Sequence, residues 1–390
     1  MQKLFDNTEI AFSSMSNHEL ERAYLLFKMI GNPGLVKVGT SITNFALRLH
    51  LPVEGLIRKT VFDHFVGGTT EQECLPVAAR MYAKGVSSVL DYSVEGKEDE
   101  KSFDNAMNMT LRTVEFATQN KGFPFIVFKP SGFGRMELYQ KLGEQKELTQ
   151  DEAMEWGRVT GRFDNVCKKA YENNIAVLID AEESWIQDAA DRLVVEMMQK
   201  YNKSKAVIFN TLQMYRHDRL PYLKQLHKKA FTEGFHIGMK VVRGAYMEKE
   251  NRRAAENNYI TPICPTKEAS DENYDAAIAY MVENIDKMAI FAGTHNESSS
   301  YKLMQLMDGK GISRNDDRIW FGQLYGMSDN MSYNLAAAGY NVAKYLPFGP
   351  VRDVMPYLIR RAQENTSVEG QSSRELMLIS SERNRRSGRK

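Results

Sequence analysis

The chain has 390 residues, 43% hydrophobic and 26% charged, enough apolar material for one large domain or two small ones. Its 51 Lys and Arg against 50 Asp and Glu leave a formal net charge of +1, so no global field recruits nucleic acid or an anionic membrane. The three cysteines, Cys74, Cys167 and Cys264, show no CxxC spacing; they read as packing residues in a reducing compartment rather than a zinc site or a disulfide framework.

The N-terminal stretch MQKLFDNTEIAFSSMSNHEL carries acidic residues and has neither an apolar signal core nor the Arg-rich character of a transit peptide. No apolar run approaches the roughly 18 residues that span a bilayer. The expectation is a soluble, cytoplasmic protein of bacterial type. Residues 1–84 read as an N-terminal helical segment, with NHELERAYLLFKMI its clearest helix. Eight short apolar runs follow: GVSSVLDYS from Gly85, FPFIVFKPSG from Phe123, IAVLIDAEES from Ile175, KAVIFNTLQ from Lys205, HIGMKVVRGAY from His236, MAIFAGTHN from Met288, RIWFGQLYG from Arg318 and VAKYLPFG from Val342. Helical patterns such as Tyr274, Ile278, Met281 and Ile285 separate them. Strands buried on both faces and alternating with helices mean parallel βαβ units. Eight units predict a (β/α)8 TIM-type barrel over 85–367, preceded by the N-terminal helices. A doubly wound sheet is the competitor, but no strand leads into G-x-G-x-x-G; SGFGRM lacks the third glycine. The 21 methionines read as core filling. Residues 368–390 read as a C-terminal helix and a basic tail, SERNRRSGRK, expected to be solvated and frayed, with lipid-surface contact as its alternative.

In a barrel of this kind chemistry gathers where strands end. Those places carry Lys129, Asp180 with Glu182, Gln213, Arg243 with Tyr246, Thr294 with His295 and Asn296, Gln323, and Tyr345; the last helix adds Arg360 and Arg361. Each has a plain alternative. Asp180 could cap a helix, Lys129 could be a rim cation, and His295 could be a hydrogen-bonding histidine with no ligand. On a helix, adjacent residues point about 100° apart, so one arginine of the pair could face solvent while the other covers the core edge. Convergence weighs against these alternatives: Lys129, Arg360 and Arg361 would direct three cations at one mouth, which repel unless an anion sits there. A metal-dependent hydrolase would need several His and carboxylate ligands, yet the chain has no HxH and only His295 falls at a strand end. A small carboxylate gripped by guanidinium forks fits better, with Leu324, Tyr246 and Tyr345 as apolar walls. A non-catalytic barrel that only binds a metabolite is the third reading.

The strings FKPSG, DAEES, FNTLQMY, KVVRGAYMEKE, AGTHN, FGQLYGMSDN and YLPFGPVRDVMPYLIRRAQENTS, in order from about Thr60 to Ser367, resemble proline dehydrogenase, and their spelling is similar to the stand-alone, eukaryotic-like branch with no aldehyde dehydrogenase domain following. The resemblance implies a distorted (β/α)8 barrel and a flavoenzyme with non-covalent FAD, oxidising L-proline to Δ1-pyrroline-5-carboxylate by hydride transfer from C5 to flavin N5 and passing electrons to a membrane quinone through peripheral contact at the inner face of the cell membrane. It assigns the proline carboxylate to Lys129, Arg360 and Arg361, and the ring pocket to Tyr345, Leu324 and Tyr246. Asp180, Lys240 and Tyr345 become the catalytic group. Gln213, Lys240, Arg243, Gly244, Ala245, Thr294 and His295 fall along the flavin, and Thr266 with Lys267 on its adenosine side. Many bacterial relatives have arginine where Lys240 stands, so charge is kept there while bidentate geometry is lost. Relatives that oxidise 4-hydroxyproline, the alternative substrate, carry serine at the position of Tyr345.

Overall fold

The computed structural model describes residues 4–31, 34, 55, 58–92, 99–367 and 371–388. Eight strands, β1 Val86–Tyr92, β2 Phe125–Phe128, β3 Ala176–Ile179, β4 Ile208–Gln213, β5 Ile237–Val242, β6 Met288–Gly293, β7 Ile319–Leu324 and β8 Val342–Phe348, close in sequence order into one barrel. Each lies inside one of the eight apolar runs, and every register determined for adjacent strands is parallel. The helices are α1 Thr8–Ala11, α2 Asn17–Ile30, α3 Asp63–Phe65, α4 Glu71–Tyr82, α5 Glu100–Gln119, α6 Met136–Gly143, α7 Gln150–Glu172, α8 Ser184–Tyr201, α9 Arg219–Glu233, α10 Met247–Asn257, α11 Lys267–Glu283, α12 Glu297–Gly309, α13 Asp329–Ala337, α14 Met355–Ser367 and α15 Gln371–Arg386. Ile285, expected on the face of Tyr274, Ile278 and Met281, falls beyond α11 in a 3-10 turn, because Asn284 ends the helix. The helical expectation for residues 32–57 lies outside the described residues, apart from Gly34 and Gly55.

Two compact units divide the chain: 1–95 with 323–390, and 96–322. In the second, Phe125 packs edge-on against Phe291 and Trp320 at 5.2 Å each and against Phe209 at 5.8 Å, so aromatic rings fill the interior. A Cβ on Gly322 would come within 2.1 Å of the Phe291 ring, which is why β7 has no side chain there. Asn202 satisfies the approach to β4, accepting from the N–H groups of Val207 and Ile208 and donating to the carbonyls of Ile208 and His236.

In the first unit, β1 pairs with β8 from Val86↔Val342 to Tyr92↔Phe348. An apolar cluster joins Phe62, Phe65 and Val66 to Met327, Val354, Tyr357 and Leu358, with Leu324 packed against it. The described part of the basic tail, up to Gly388, is not frayed as expected. It forms the end of α15, whose Leu378 and Ile379 pack with Phe12, Leu20 and Phe27. Arg386 donates to the carbonyls of Phe12 and Met15, and with Arg385 it holds the fully buried Glu382. Arg383 pairs with Glu21 at 2.7 Å and covers the Tyr24 ring at 3.8 Å. Arg386 thus ties down the turn between α1 and α2 and Arg383 covers apolar surface, so their charge serves folding rather than solvation.

The same unit carries a pH-sensitive brace. His64 lies edge-on to Phe27 and Phe65, and its Nε2–H donates to the Gly326 carbonyl at 3.0 Å. Burial pushes its pKa down to about 4, against the pull of Asp329 and of the Gly326 bond. Between the ordinary value of 6.5 and about 4, the unfolded chain binds a proton that the folded chain refuses. Stability from this group is therefore present above pH 6.5 and lost as pH falls through that window, by up to about 3 kcal/mol. Denaturant unfolding at pH 7 and pH 4 checks this: His64→Gln, which keeps a donor for Gly326, should lose less stability over the interval than the wild type.

Candidate active site

The strand-end residues of the 96–322 unit occupy the same end of their strands. Lys129 directly follows β2, Asp180 follows β3, Gln213 closes β4, Arg243 follows β5, and Thr294 and His295 follow β6. Asp180 caps no helix; its carboxylate pairs with the ammonium of Lys240, which stands in the middle of β5 and is 6% exposed. A buried lysine needs such a partner, and the pairing was not legible in the sequence, where the two residues are 60 positions apart.

Arg243 is engaged on three sides: Asp271 Oδ1 at 2.5 Å, Thr294 Oγ1 at 2.9 Å and Ser299 Oγ at 3.0 Å, with its guanidinium 4.6 Å from the Tyr274 ring centre. Lys267 reaches the other Asp271 oxygen at 2.7 Å. Burial works against it, but Lys267 and Arg243 together hold the Asp271 carboxyl below its ordinary value. Arg243, Lys267 and Thr294 are thus brought together through Asp271 and the first turn of α12. Thr266 caps α11, accepting from Ala269 N–H at 3.1 Å, and Asn296 caps α12, accepting from Ser299 N–H at 3.0 Å. Gly244 has φ +133°, and a Cβ there would meet the Tyr215 ring at 2.4 Å, so the protein's own packing already demands glycine. Ala245 is exposed and Tyr246 half-buried at the start of α10.

Gln213 is 2% exposed, and its Oε1 accepts no hydrogen bond within the protein. A buried carbonyl left in that state costs about 1 to 3 kcal/mol. Of two deeper acids, Glu182 was located at its strand end but given no role, and Glu250 was missed by sequence reasoning. Glu182 accepts both donors of Ser131, and burial pushes its carboxyl up to about 7 against those bonds and the charge of Lys129. Glu250, fully buried, accepts the N–H and the hydroxyl of Ser184 at 2.6 Å each. The signal that could have exposed them is the density of acids in DAEES and YMEKE, next to strand ends rather than on a solvated helix face.

In the other unit, Leu324 ends β7 and packs against the cluster that contains Val354 and, from α14, Tyr357 and Leu358; α14 is the helix of Arg360 and Arg361. Neither arginine is solvent-exposed: Arg360 is half-buried, and Arg361 is 7% exposed with its guanidinium 4.9 Å from the Tyr357 ring. Arg361 thus covers the core edge, as the plain alternative expects of one arginine, while Arg360 keeps part of its surface in solvent. Tyr345 corrects an expectation, since β8 runs on to Phe348 and leaves it in mid-strand, 7% exposed. Its carbonyl accepts from Tyr325 N–H at 2.9 Å. Its neighbour Lys344 lies on the opposite strand face, with no exposed surface, donating to Met327 O at 2.6 Å and pairing with Asp329 at 2.7 Å. Gln323 is a structural group, accepting from Ser332 Oγ at 2.9 Å.

A closed parallel barrel with ionisable side chains at the C-terminal ends of successive strands defines an enzyme of the (β/α)8 class. The proline dehydrogenase family profile matches residues 74–374. A carbapenem antibiotics biosynthesis protein, CarD, of Pectobacterium carotovorum subsp. carotovorum is 38% identical over 85% of this chain and 86% of its own length. A hydroxyproline dehydrogenase of Xenopus laevis is 30% identical over 92% of this chain and 84% of its own. Among solved structures, proline utilization A from Bdellovibrio bacteriovorus superposes with a TM-score of 0.74 at 20% identity, over 92% of this chain and 38% of that one, and supports the fold. The chain belongs to the proline dehydrogenase family. Among the described residues no helix is long and apolar enough to cross a membrane, and no group of three His, Cys, Asp or Glu side chains could hold a metal ion.

Proposed function

We propose that this chain oxidises L-proline to Δ1-pyrroline-5-carboxylate with non-covalently bound FAD, electrons leaving to a quinone. The observation that carries the cofactor reading is the buried Gln213 Oε1, which lacks a donor at the end of β4. Beside it, Lys240, Arg243, Thr294 and His295 supply cationic and polar groups, and the N-terminus of α12 suits an anion such as a phosphate. Gly244, Ala245, Thr266 and Lys267 complete the proposed cofactor set. When bound, the flavin would accept the C5 hydride at N5.

The protein's part is positioning. Lys129, Arg360 and Arg361 hold the substrate carboxylate, guanidinium forks matching its two oxygens. Tyr345, Leu324 and Tyr246 shape the ring pocket. Asp180, paired with Lys240, faces the amine. The chain works in the cytoplasm, and delivery to a membrane quinone requires only peripheral contact.

Purified protein is expected to be yellow, with flavin absorbance that bleaches when L-proline is added without oxygen. Colourless protein whose function a chelator removes would overturn the reading in favour of a hydrolase. The second reading, 4-hydroxyproline as substrate, is favoured by the likeness to the Xenopus enzyme and is decided at Tyr345.

A further inference from the structure

Ser131 and Glu182 lie in the loops after β2 and β3, and neither has a task in the proposed reaction. Ser131 N–H donates to Glu182 Oε2 at 2.8 Å, and its hydroxyl donates to Oε1 at 2.5 Å, so one carboxylate takes both donors of the residue two places after Lys129. Glu182 is 5% exposed, and its own N–H is held by Gln187 Oε1 at 2.9 Å, whose amide donates to Asp191 at 2.7 Å. One residue closer to Lys129, the buried Tyr139 hydroxyl donates to the Pro130 carbonyl at 2.9 Å. The turn that begins at Lys129 is therefore fixed at two consecutive residues by groups shielded from water.

Burying a carboxylate to restrain an ordinary turn is costly, since a Ser–backbone bond or water would serve. It makes sense where the turn carries a group whose placement matters. A lysine ammonium is a point charge on a flexible stem, and its direction depends on how firmly its backbone is held. We propose that Glu182 is a positioning residue, clamping the Pro130–Ser131 turn so that Lys129 meets the substrate carboxylate. The proposal rests on the reading that Lys129 binds that carboxylate.

The test is a double-mutant cycle on the flavin-loaded enzyme: Glu182→Gln, Lys129→Met and the pair, with KM, kcat, flavin content and thermal midpoint measured for each. Glutamine keeps the volume but offers one acceptor to two donors. Glu182→Gln is expected to raise the KM for L-proline about tenfold with kcat within about twofold, whereas in the Lys129→Met background it should change KM by less than about twofold, because coupled residues are not additive. Ser131→Ala, which removes only the hydroxyl bond and is the gentler change, should move KM in the same direction by less. Additive effects in the pair, or losses confined to flavin content and thermal midpoint, would overturn the positioning role. If Lys129→Met alone left KM unchanged, the carboxylate assignment would fall and the positioning role with it.

Discussion

Arg361→Met is expected to raise the KM for L-proline about ten- to a hundredfold while flavin content stays at the wild-type level. The magnitude follows from removing one charge-assisted partner of a carboxylate, about 1.5 to 3 kcal/mol. The structure sharpens the expectation. Val354, Tyr357 and Leu358 anchor α14 in the apolar cluster with Phe62, Phe65 and Met327, so the helix does not need Arg361 to stay in place. Its guanidinium, 7% exposed, stacks 4.9 Å from the Tyr357 ring. Losing that contact costs about 0.5 to 1 kcal/mol, which lowers the thermal midpoint slightly but cannot produce a hundredfold change in KM. Methionine fills the stem's volume and keeps helix propensity. Arg360→Met should behave alike. The deciding measurement is steady-state kinetics beside a melting curve: wild-type KM with a lowered melting point would return Arg361 to the role of a core-edge side chain.

The barrel was legible because parallel strands covered on both faces write themselves as continuous apolar runs, and all eight runs hold a strand. Strand-end residues such as Lys129, Asp180 and Gln213 could be located by the same logic, since position relative to a strand is local information. Partnerships could not. Asp180 with Lys240 and Ser131 with Glu182 join separate strands or loops, and no spacing rule encodes a contact across 60 or 51 positions. Tyr345 was misplaced at a strand end because β8 runs three residues further, through Pro347 to Phe348; proline is tolerated near a strand terminus. The tail misled for another reason. SERNRRSGRK counts as a cationic run in one dimension, but on a helix Glu382 lies four residues before Arg386, and the face so formed closes over α1 and α2.

Wild-type enzyme is expected to prefer L-proline over trans-4-hydroxy-L-proline by about tenfold or more in kcat/KM, and Tyr345→Ser to narrow that gap. A tyrosine packed over the ring leaves a C4 hydroxyl against an aromatic face, and a buried hydroxyl without a partner costs about 1 to 3 kcal/mol. The structure makes Tyr345 hard to move aside. It is 7% exposed in mid-strand, paired in register with Val89 of β1, its carbonyl bonded by Tyr325 N–H at 2.9 Å. On the opposite face the next residue, Lys344, is locked to Asp329 and to the carbonyl of Met327. A backbone pinned from both directions cannot retreat by the ångström that a hydroxyl needs, so on the proposed reading the selectivity would be steric and set before substrate arrives. Serine removes the ring and supplies a donor and acceptor where the C4 hydroxyl would lie, so the variant should gain on hydroxyproline less than it loses on proline, whose apolar ring forfeits its packing partner. Because Lys344, Asp329 and the β1 pairing are untouched, the melting point should fall by only a few degrees. Kinetics on both substrates for both proteins decide it: equal or better efficiency on hydroxyproline in the wild type would reassign the substrate, and an unchanged ratio in Tyr345→Ser would take Tyr345 out of the ring pocket.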